Sequence, residues 1–366
     1  MRILIDIGHP AHVHIFKHFA HEMISKGHQV LFTCRQKEFI INLLEAEGFD
    51  FVSFGQKYTS TLKKLWGMLK FDCRMLRVSL KFKPDIFLSA GSMYAAQVSA
   101  LLHKPHIVFE DTYNMEQVRL YRPFTELILT GDYEHPQMSP TREFRMAGYN
   151  ELAYLYPGRF TPDEKVLEEL GVSKGEKFVV VRFIAWQGTH DVGYSGMSRE
   201  NMILAVREFS KLAKVFISSE AALPEELKGH ALPTAPDRIH HVMYYASLVF
   251  GESGTMSEEA SMLGTPAIQL DTKGAYYTRH LQKDYGLMRL FTTSEDDQKA
   301  AIEYGVQLLQ DDDLKQKWAQ KRDTMLSERI DVTAFLVWLV ENYPGSREQL
   351  LSNPSIQYRF RTDEIS

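Results

Sequence analysis

The sequence predicts an α/β protein built as two doubly wound, Rossmann-like domains. Three observations lead there. Short apolar runs alternate with longer stretches of helical period, the signature of βαβ units and a parallel sheet. The alternation occurs twice, on either side of a break over 148–162, where Gly148, Pro157, Gly158 and Pro162 stand among Tyr149, Tyr154 and Tyr156. The length of 366 residues suits two domains at roughly 100–200 residues each. The pattern places a first domain at 1–150, a linker at 151–165, a second domain at 166–345 and a polar, loosely held tail at 346–366. Two such sheets facing one another would enclose a central cleft at the carboxyl ends of their strands, where sheets of this kind bind ligands.

The elements follow in order. A strand over Arg2–Ile7 runs into a turn at 8–11, and Val13, Phe16, Phe19 and Met23 give the next stretch, 12–26, an apolar helical face. Strand 29–33, helix 38–47, strand 49–54 and a long basic helix, Thr61–Phe82, come next. Pro84 and Asp85 introduce strand 86–89, Gly91 opens a helix to 102, Pro105 precedes strand His106–Phe109, and 127–130 forms another strand. In the second half, strands are expected at 178–182, 215–218, 247–250 and 266–270, with helical stretches at 237–246 and 257–263. The chain then reads as helical over 295–310, 313–326 and Val332–Glu341.

Composition narrows the function. Apolar residues at 44% and charged residues at 24% are ordinary globular usage, which excludes intrinsic disorder, a collagen-like repeat and a coiled coil. Lys and Arg number 42 against 47 Asp and Glu, a net charge of -5, so no nucleic-acid partner is expected. Two cysteines, Cys34 and Cys73, cannot make a disulfide framework and fit a reducing compartment. The opening MRILIDIGHP lacks the apolar region of about 7–15 residues of a secretion signal, and no window approaches the ~20 apolar residues of a spanning helix. A soluble, cytoplasmic protein is expected, with peripheral contact at the inner membrane face left open.

Two segments carry chemistry. Gly8-His9-Pro10-Ala11-His12-Val13-His14 follows the first strand and opens a helix. A small-residue turn there brings backbone N–H groups and the positive dipole end toward an anion, and its histidines are candidate donors or a general base. His12 and His14 also have the spacing of a metal-binding pair, with His103, His106 and His190 as further candidates. Two open sheets fit the sequence better than the barrel that such a site requires. The second segment, 251–266, ends a strand at Phe250, turns through Ser253-Gly254-Thr255 and enters a helix near Ser257 with Glu258 and Glu259 in its first turn. Ser253, Gly254 and Thr255 offer N–H and hydroxyl donors to a phosphate, and a glutamate one turn on can accept both hydroxyls of a ribose. A well-capped amphipathic helix would show part of this pattern without any ligand.

Residues 253–260 resemble the nucleotide-sugar site of GT-B-fold enzymes. They align without a gap to the Ser-Gly-Gly-x-Gln-Glu-Glu-Ala segment of non-hydrolysing UDP-N-acetylglucosamine 2-epimerases, with Thr255 in place of the second glycine and Ser257 in place of the glutamine. They are also similar to the corresponding segment of the lipid II-forming N-acetylglucosaminyltransferase. In both families the second glutamate holds the ribose of UDP, which implies Glu259 here, with Ser253 and Gly254 near the diphosphate. The transferase has a Gly-rich turn ending in His-Val after its first strand. Gly8 to Val13 occupies that place and His12 matches the histidine, although Pro10 and Ala11 stand where the family has glycines. The run 84–114 has the family's order of Pro-Asp, strand, glycine, helix, proline, strand, acidic residue and asparagine. The chain also looks like a prokaryotic family known only as a domain of unknown function within this superfamily.

The resemblance implies a GT-B-like architecture and separates two enzyme classes. A 2-epimerase would carry an aspartate after the glycine at 91, where this chain has Ser92, and a His-Arg signature where this chain has Arg182-Phe183-Ile184, followed by Trp186 and His190. Transfer of a sugar from a UDP-linked donor to a glycan or lipid-linked acceptor, in cell-surface polysaccharide or glycolipid synthesis, is therefore the leading reading. Epimerisation is the alternative, and a non-catalytic nucleotide-sugar-binding protein is the alternative from another class. His12, with His9 as competitor, is the candidate base or phosphate donor, and Asp111 and Glu110 are the other candidate bases. Arg182 is a candidate cation for the diphosphate. The stretch 237–245 (DRIHHVMYY) resembles the loop that frames the base, with Ile239, His240 or His241 as contacts. No Asp-x-Asp pair is present in either cluster, so no metal and no cofactor beyond the UDP-sugar substrate is expected. Seven basic residues, Lys63, Lys64, Lys70, Arg74, Arg77, Lys81 and Lys83, alternate with Leu65, Trp66, Met68, Phe71 and Leu80, a pattern that suits either an anionic membrane surface or a solvated helix. The sugar, the acceptor, the stereochemical outcome and the oligomeric state have no signature in the sequence.

Overall fold

The computed structural model describes residues 1–36, 39–56, 61–184, 196–219 and 223–362. The chain forms two compact units. One comprises Met1–Arg159 together with the returning segment from Arg329, and the other comprises Phe160–Glu328.

The first unit is built on a parallel seven-stranded sheet. Its strands are β1 (Arg2–Ile7), β2 (Gln29–Gln36), β3 (Phe51–Gln56), β4 (Ile86–Ala90), β5 (His106–Phe109), β6 (Leu127–Gly131) and β7 (Glu143–Met146). The spatial order is β3-β2-β1-β4-β5-β6-β7, so the winding direction reverses between β1 and β4. Leu4, Phe54 and Phe87 face Phe71 and Met75 of helix Thr61–Phe82 and Ala95 and Val98 of helix Met93–Leu101. Helix Pro10–Ser25 starts two residues earlier than its periodicity suggests. His9 caps it and Pro10, at the first helical position, has the φ a helix needs.

The second unit has a parallel five-stranded sheet of β8 (Phe178–Phe183), β9 (Lys214–Ser219), β10 (Leu248–Gly251), β11 (Ala267–Leu270) and β12 (Met288–Phe291). The order is β12-β11-β10-β8-β9, which places its reversal between β8 and β10. Val179, Val181, Phe250 and Ile268 meet Phe209 and Ile302 in the core.

Three expected assignments are corrected. The stretch 151–165 is not an open linker throughout, because Leu152, Ala153, Tyr154, Leu155 and Tyr156 are buried in the first unit. The crossing between units falls at Arg159 and Phe160. Nor is 346–366 a loose tail: Gly345–Ser352 is helical and Pro354–Phe360 forms a 3-10 turn. The Gln357 side-chain oxygen accepts the Ala147 N–H at 2.7 Å, and Ser346 is fully buried. Helix Val332–Glu341, expected in the second domain, belongs to the first. Its Thr333 hydroxyl donates to the Ala153 carbonyl at 2.7 Å.

Candidate functional site

In open parallel sheets the crevice at a reversal of winding is the ligand-binding place. The residues singled out from sequence fall at both reversals.

In the second unit, the turn after β10 leads into helix Gly254–Met262. The Ser253 hydroxyl caps it by accepting the Met256 N–H at 3.3 Å. The helix begins three residues before the expected Ser257, so Gly254 and Thr255 occupy its first two positions with N–H groups at the positive dipole end. Gly251 has φ +148, and a Cβ there would run into the Arg182 carbonyl. That close approach lets the Glu252 N–H donate to the Arg182 oxygen at 3.1 Å. Glu259, on the inner face of the helix, is 5% exposed. Its carboxylate lies 2.8 Å from His240 Nε2, so two residues expected at one nucleotide are joined. The neighbouring His241 makes other contacts: its Nδ1 accepts the Asp163 N–H at 3.0 Å and its ring lies 5.0 Å from Phe160. Arg182 donates to the Ser218 hydroxyl on the adjacent strand at 2.9 Å.

Glu252 was not singled out from sequence. It is buried and accepts N–H groups from Ile184 at 2.9 Å and Met197 at 2.5 Å. One carboxylate thus pins both ends of the segment that leaves β8, beside the Ser253 turn. Trp186 and His190 lie outside the described residues.

In the first unit the geometry revises the expected phosphate cradle. The Gly8 N–H donates to His12 Nδ1 at 3.2 Å, and the space a Gly8 Cβ would fill is taken by Arg35. The Gly8 amide is thus engaged by His12. His9 Nδ1 accepts the Ala11 N–H at 3.2 Å, a helix cap. His14 turns away from His12 toward Tyr154, with ring centroids 5.4 Å apart. His106 lies between the Ser89 and Thr125 hydroxyls at 2.9 and 2.8 Å, and burial pushes its pKa down to about 3. Among the described residues no group of three or more His, Cys, Asp or Glu is placed to hold a metal ion.

The acidic pair after β5 separates into two roles. Glu110 is buried and accepts from the Thr112 hydroxyl and the Tyr113 N–H, both at 2.7 Å, and from the Tyr121 hydroxyl. It organises its own turn, which weakens it as a candidate base. Asp111 is half-buried and accepts from Asn150 Nδ2 at 2.7 Å. Burial first, and Glu110 second, push its pKa up to about 6. A carboxylate near neutrality is matched to proton abstraction.

Behind His12 lies a cluster that sequence reasoning missed. Asp6, fully buried in β1, accepts from Thr33 Oγ1 at 2.8 Å, Arg35 Nη1 at 2.8 Å and Ser92 Oγ at 2.5 Å. Arg35 also donates to the Ile7 carbonyl at 3.1 Å. Arg35, Ser92, Tyr94, Asn114 and Gln117 line a cavity of about 460 Å³ at the carboxyl ends of the strands. The signal was present as an acid within the apolar strand RILIDI and an arginine at the end of the next strand. The second unit's cavity of about 430 Å³ is lined by Phe178, Ser247 and Gly264. It lies at the amino edge of that sheet, away from the Ser253 turn.

A family model described as "Protein of unknown function (DUF354)" matches residues 1–333. The chain belongs to this family. No curated protein matches the sequence of this DUF354 member. Solved structures match its fold. UDP-GlcNAc 2-epimerase from Neisseria meningitidis bound to UDP-GlcNAc aligns with a TM-score of 0.66 at 14% identity, covering 93% of this chain and 100% of that one. The glycosyltransferase SsfS6 from Streptomyces sp. SF2575 gives 0.59 at 14% identity with the same coverage. The spinosyn rhamnosyltransferase SpnG complexed with thymidine diphosphate gives 0.58 at 16%, again over 93% and 100%. The DUF354 chain has the GT-B fold.

Proposed function

We propose that this chain is a sugar transferase that takes a UDP-linked donor at the β8/β10 reversal of its second unit. The observation that carries the reading is the Glu259–His240 pair, buried beside a Ser253-capped helix N-terminus in a segment resembling UDP-sugar sites. In this reading Glu259 accepts the ribose hydroxyls and His240 holds the carboxylate. The Gly254 and Thr255 end of the helix faces the diphosphate, whose charge grows as the bond from sugar to phosphate breaks. Two of the structural neighbours are complexes with UDP-GlcNAc and thymidine diphosphate, ligands of the same class.

An acceptor hydroxyl gives up its proton to a base as its oxygen attacks the sugar and UDP leaves, and His12 and Asp111 are the candidate bases. Epimerisation is disfavoured at Ser92. Its hydroxyl donates to Asp6 and cannot serve as the carboxylic acid or base that the resemblance to 2-epimerases requires there.

The test is thermal stabilisation by UDP, other nucleoside diphosphates and UDP-sugars, for the wild type, Glu259→Ala and Glu259→Gln. The glutamine variant retains a partner for His240 and separates lost binding from lost folding. UDP at about 100 times its dissociation constant should stabilise the wild type by roughly 2.7 kcal/mol and neither variant. Stabilisation that survives in both variants, or none by any nucleotide in the wild type, rejects the reading.

A further inference from the structure

The candidate base Asp111 is held by a single side chain. Its Oδ2 accepts from Asn150 Nδ2 at 2.7 Å, and no other side chain among the described residues donates to it. Glu110 beside it has donors enough within its own turn. Asp111 Oδ1 is therefore the oxygen left to meet a substrate, and its direction is set by whatever sets Asn150.

Asn150 comes from a distant part of the sheet. It stands in the turn between β7 and helix Leu152–Leu155, while Asp111 follows β5, two strands away. The turn is pinned from several sides. The Ala147 N–H donates to Gln357 Oε1 at 2.7 Å, and the Ala147 carbonyl accepts the Ile330 N–H at 2.9 Å. A Cβ at Gly148 would lie 2.8 Å from Val332 Cγ2. The Tyr149 ring stacks with Tyr133 at 5.8 Å between centroids, and the Arg329 guanidinium lies over it at 5.2 Å. The Asn150 carbonyl accepts the Ala153 N–H at 3.1 Å. Residues 147–151 are all buried, so the amide has little freedom left to lose when it holds a partner.

The chemistry of the place suits an amide. An amide N–H donates to a carboxylate without bringing a charge. It fixes one oxygen and leaves the acid able to take a proton, where a lysine or arginine would hold it ionised. Four groups act on Asp111: Glu110 beside it, Tyr113 two residues on, Tyr121 from helix Met115–Tyr121, and Asn150 from the β7 turn. Burial and Glu110 raise the Asp111 pKa to about 6, and the Asn150 hydrogen bond opposes them.

We propose that Asn150 is the positioning residue for Asp111: its amide fixes Oδ2, so that Oδ1 takes the proton of the attacking hydroxyl. The proposal rests on the transfer reading with Asp111 as base. The hydroxyl oxygen bonds to the anomeric carbon of the sugar, its proton moves to Oδ1, and the bond from that carbon to UDP breaks with its electron pair leaving on UDP. The returning segment thereby bears on the chemistry, because Arg329, Ile330, Val332 and Gln357 hold the turn that holds Asn150.

The test compares the full chain with Asn150→Ala and with Asn150→Asp, which keeps the shape and loses the donor. One measurement is UDP release from UDP-N-acetylglucosamine and UDP-glucose, with water as acceptor, between about pH 5 and pH 8. The thermal shift by UDP is read beside it and reports folding and the donor site. In the wild type the rate should rise through about pH 6. In Asn150→Ala this acid limb should move up by about one pH unit, and kcat below it should fall about tenfold. KM for the donor and the UDP shift should stay as they were. Asn150→Asp should move the limb further, since it adds a like charge. An acid limb unmoved in both variants overturns the proposal. So does a lost rate matched by a lost UDP shift, which marks a purely structural role. The Asn150 side-chain amide, followed by NMR in asparagine-labelled protein, gives a readout that needs no turnover. Its resonance should titrate near pH 6 and cease to do so in Asp111→Asn. A resonance blind to pH overturns the proposal. A wild type that turns over no donor and responds to no nucleotide fails the transfer reading instead, whatever this resonance does.

Discussion

Asp6 has no exposed surface, and a carboxylate in that position is tolerable only because Arg35, Thr33 and Ser92 all donate to it. Removing one partner of a buried pair leaves a charge without compensation, at a cost of about 3–5 kcal/mol. Arg35→Met should therefore lower the stability read from urea unfolding by that amount, and Asp6→Asn in the same chain should recover part of it. A loss under about 1 kcal/mol for Arg35→Met would mean that Thr33 and Ser92 alone hold the carboxylate. Asp111 makes a second prediction at this scale. Its folded pKa, about 6, lies above its ordinary value, so its protonated form is the one the fold favours. That contribution is complete below about pH 4 and is lost as the pH rises from about 4 to about 6. Asp111→Asn should flatten the stability profile across this window and gain on the order of 1 kcal/mol over the wild type at pH 7, after allowance for its partly exposed side. If Asp111 is also the base, the acid limb of the rate profile near pH 6 disappears in the same variant.

At the level of elements, legibility followed the strength of the local pattern. Helix Thr61–Phe82 was read to the residue, because an amphipathic run of that length has no competing period. The buried central strands were legible as unbroken apolar runs. Strands β7 and β12 were not: each has four residues at a sheet edge and mixes buried with exposed positions, so neither the alternating nor the continuous pattern develops. The Ser253 turn was legible because its residues are adjacent in sequence, and His240 because its segment precedes that turn by one strand. The Asp6–Arg35–Ser92 cluster was not, because β2, β1 and β4 become neighbours only when the winding reverses. Gly251 marks how tightly β10 and β8 close on one another. Gly251→Ala would place a methyl group against the Arg182 carbonyl at a φ few side chains adopt. The expected cost is about 3 kcal/mol or more in urea unfolding, together with loss of the UDP-dependent thermal shift. A variant with unchanged stability and an intact shift would show that the strands can separate at no cost to the nucleotide site.

Across the whole molecule the least legible feature was the return of the chain to the first unit after Glu328. Nothing local in 329–360 names its partners, which lie far back in sequence. Arg329 pairs with Asp132, Phe335 stacks on Phe144 with ring centroids 5.9 Å apart, and Gln357 satisfies Ala147. Val332, Phe335, Leu336, Leu339 and Val340 are all at most 1% exposed. At about 1.5–3 kcal/mol for each fully buried side chain, this group alone rivals the roughly 5–15 kcal/mol by which a native protein is stable. A chain ending at Glu328 should therefore lose the first unit and keep the second. Limited proteolysis should degrade residues before Arg159 and leave a resistant fragment near 160–328. Calorimetry of that fragment should still show a melting temperature that rises with UDP, since Ser253, Glu259, His240 and both core-forming strands of the β8/β10 reversal lie within it. A first unit that resists protease without the returning helices would show its sheet to be self-sufficient. A resistant 160–328 fragment blind to UDP, where the full chain responds, would show that the nucleotide requires groups from the first unit as well.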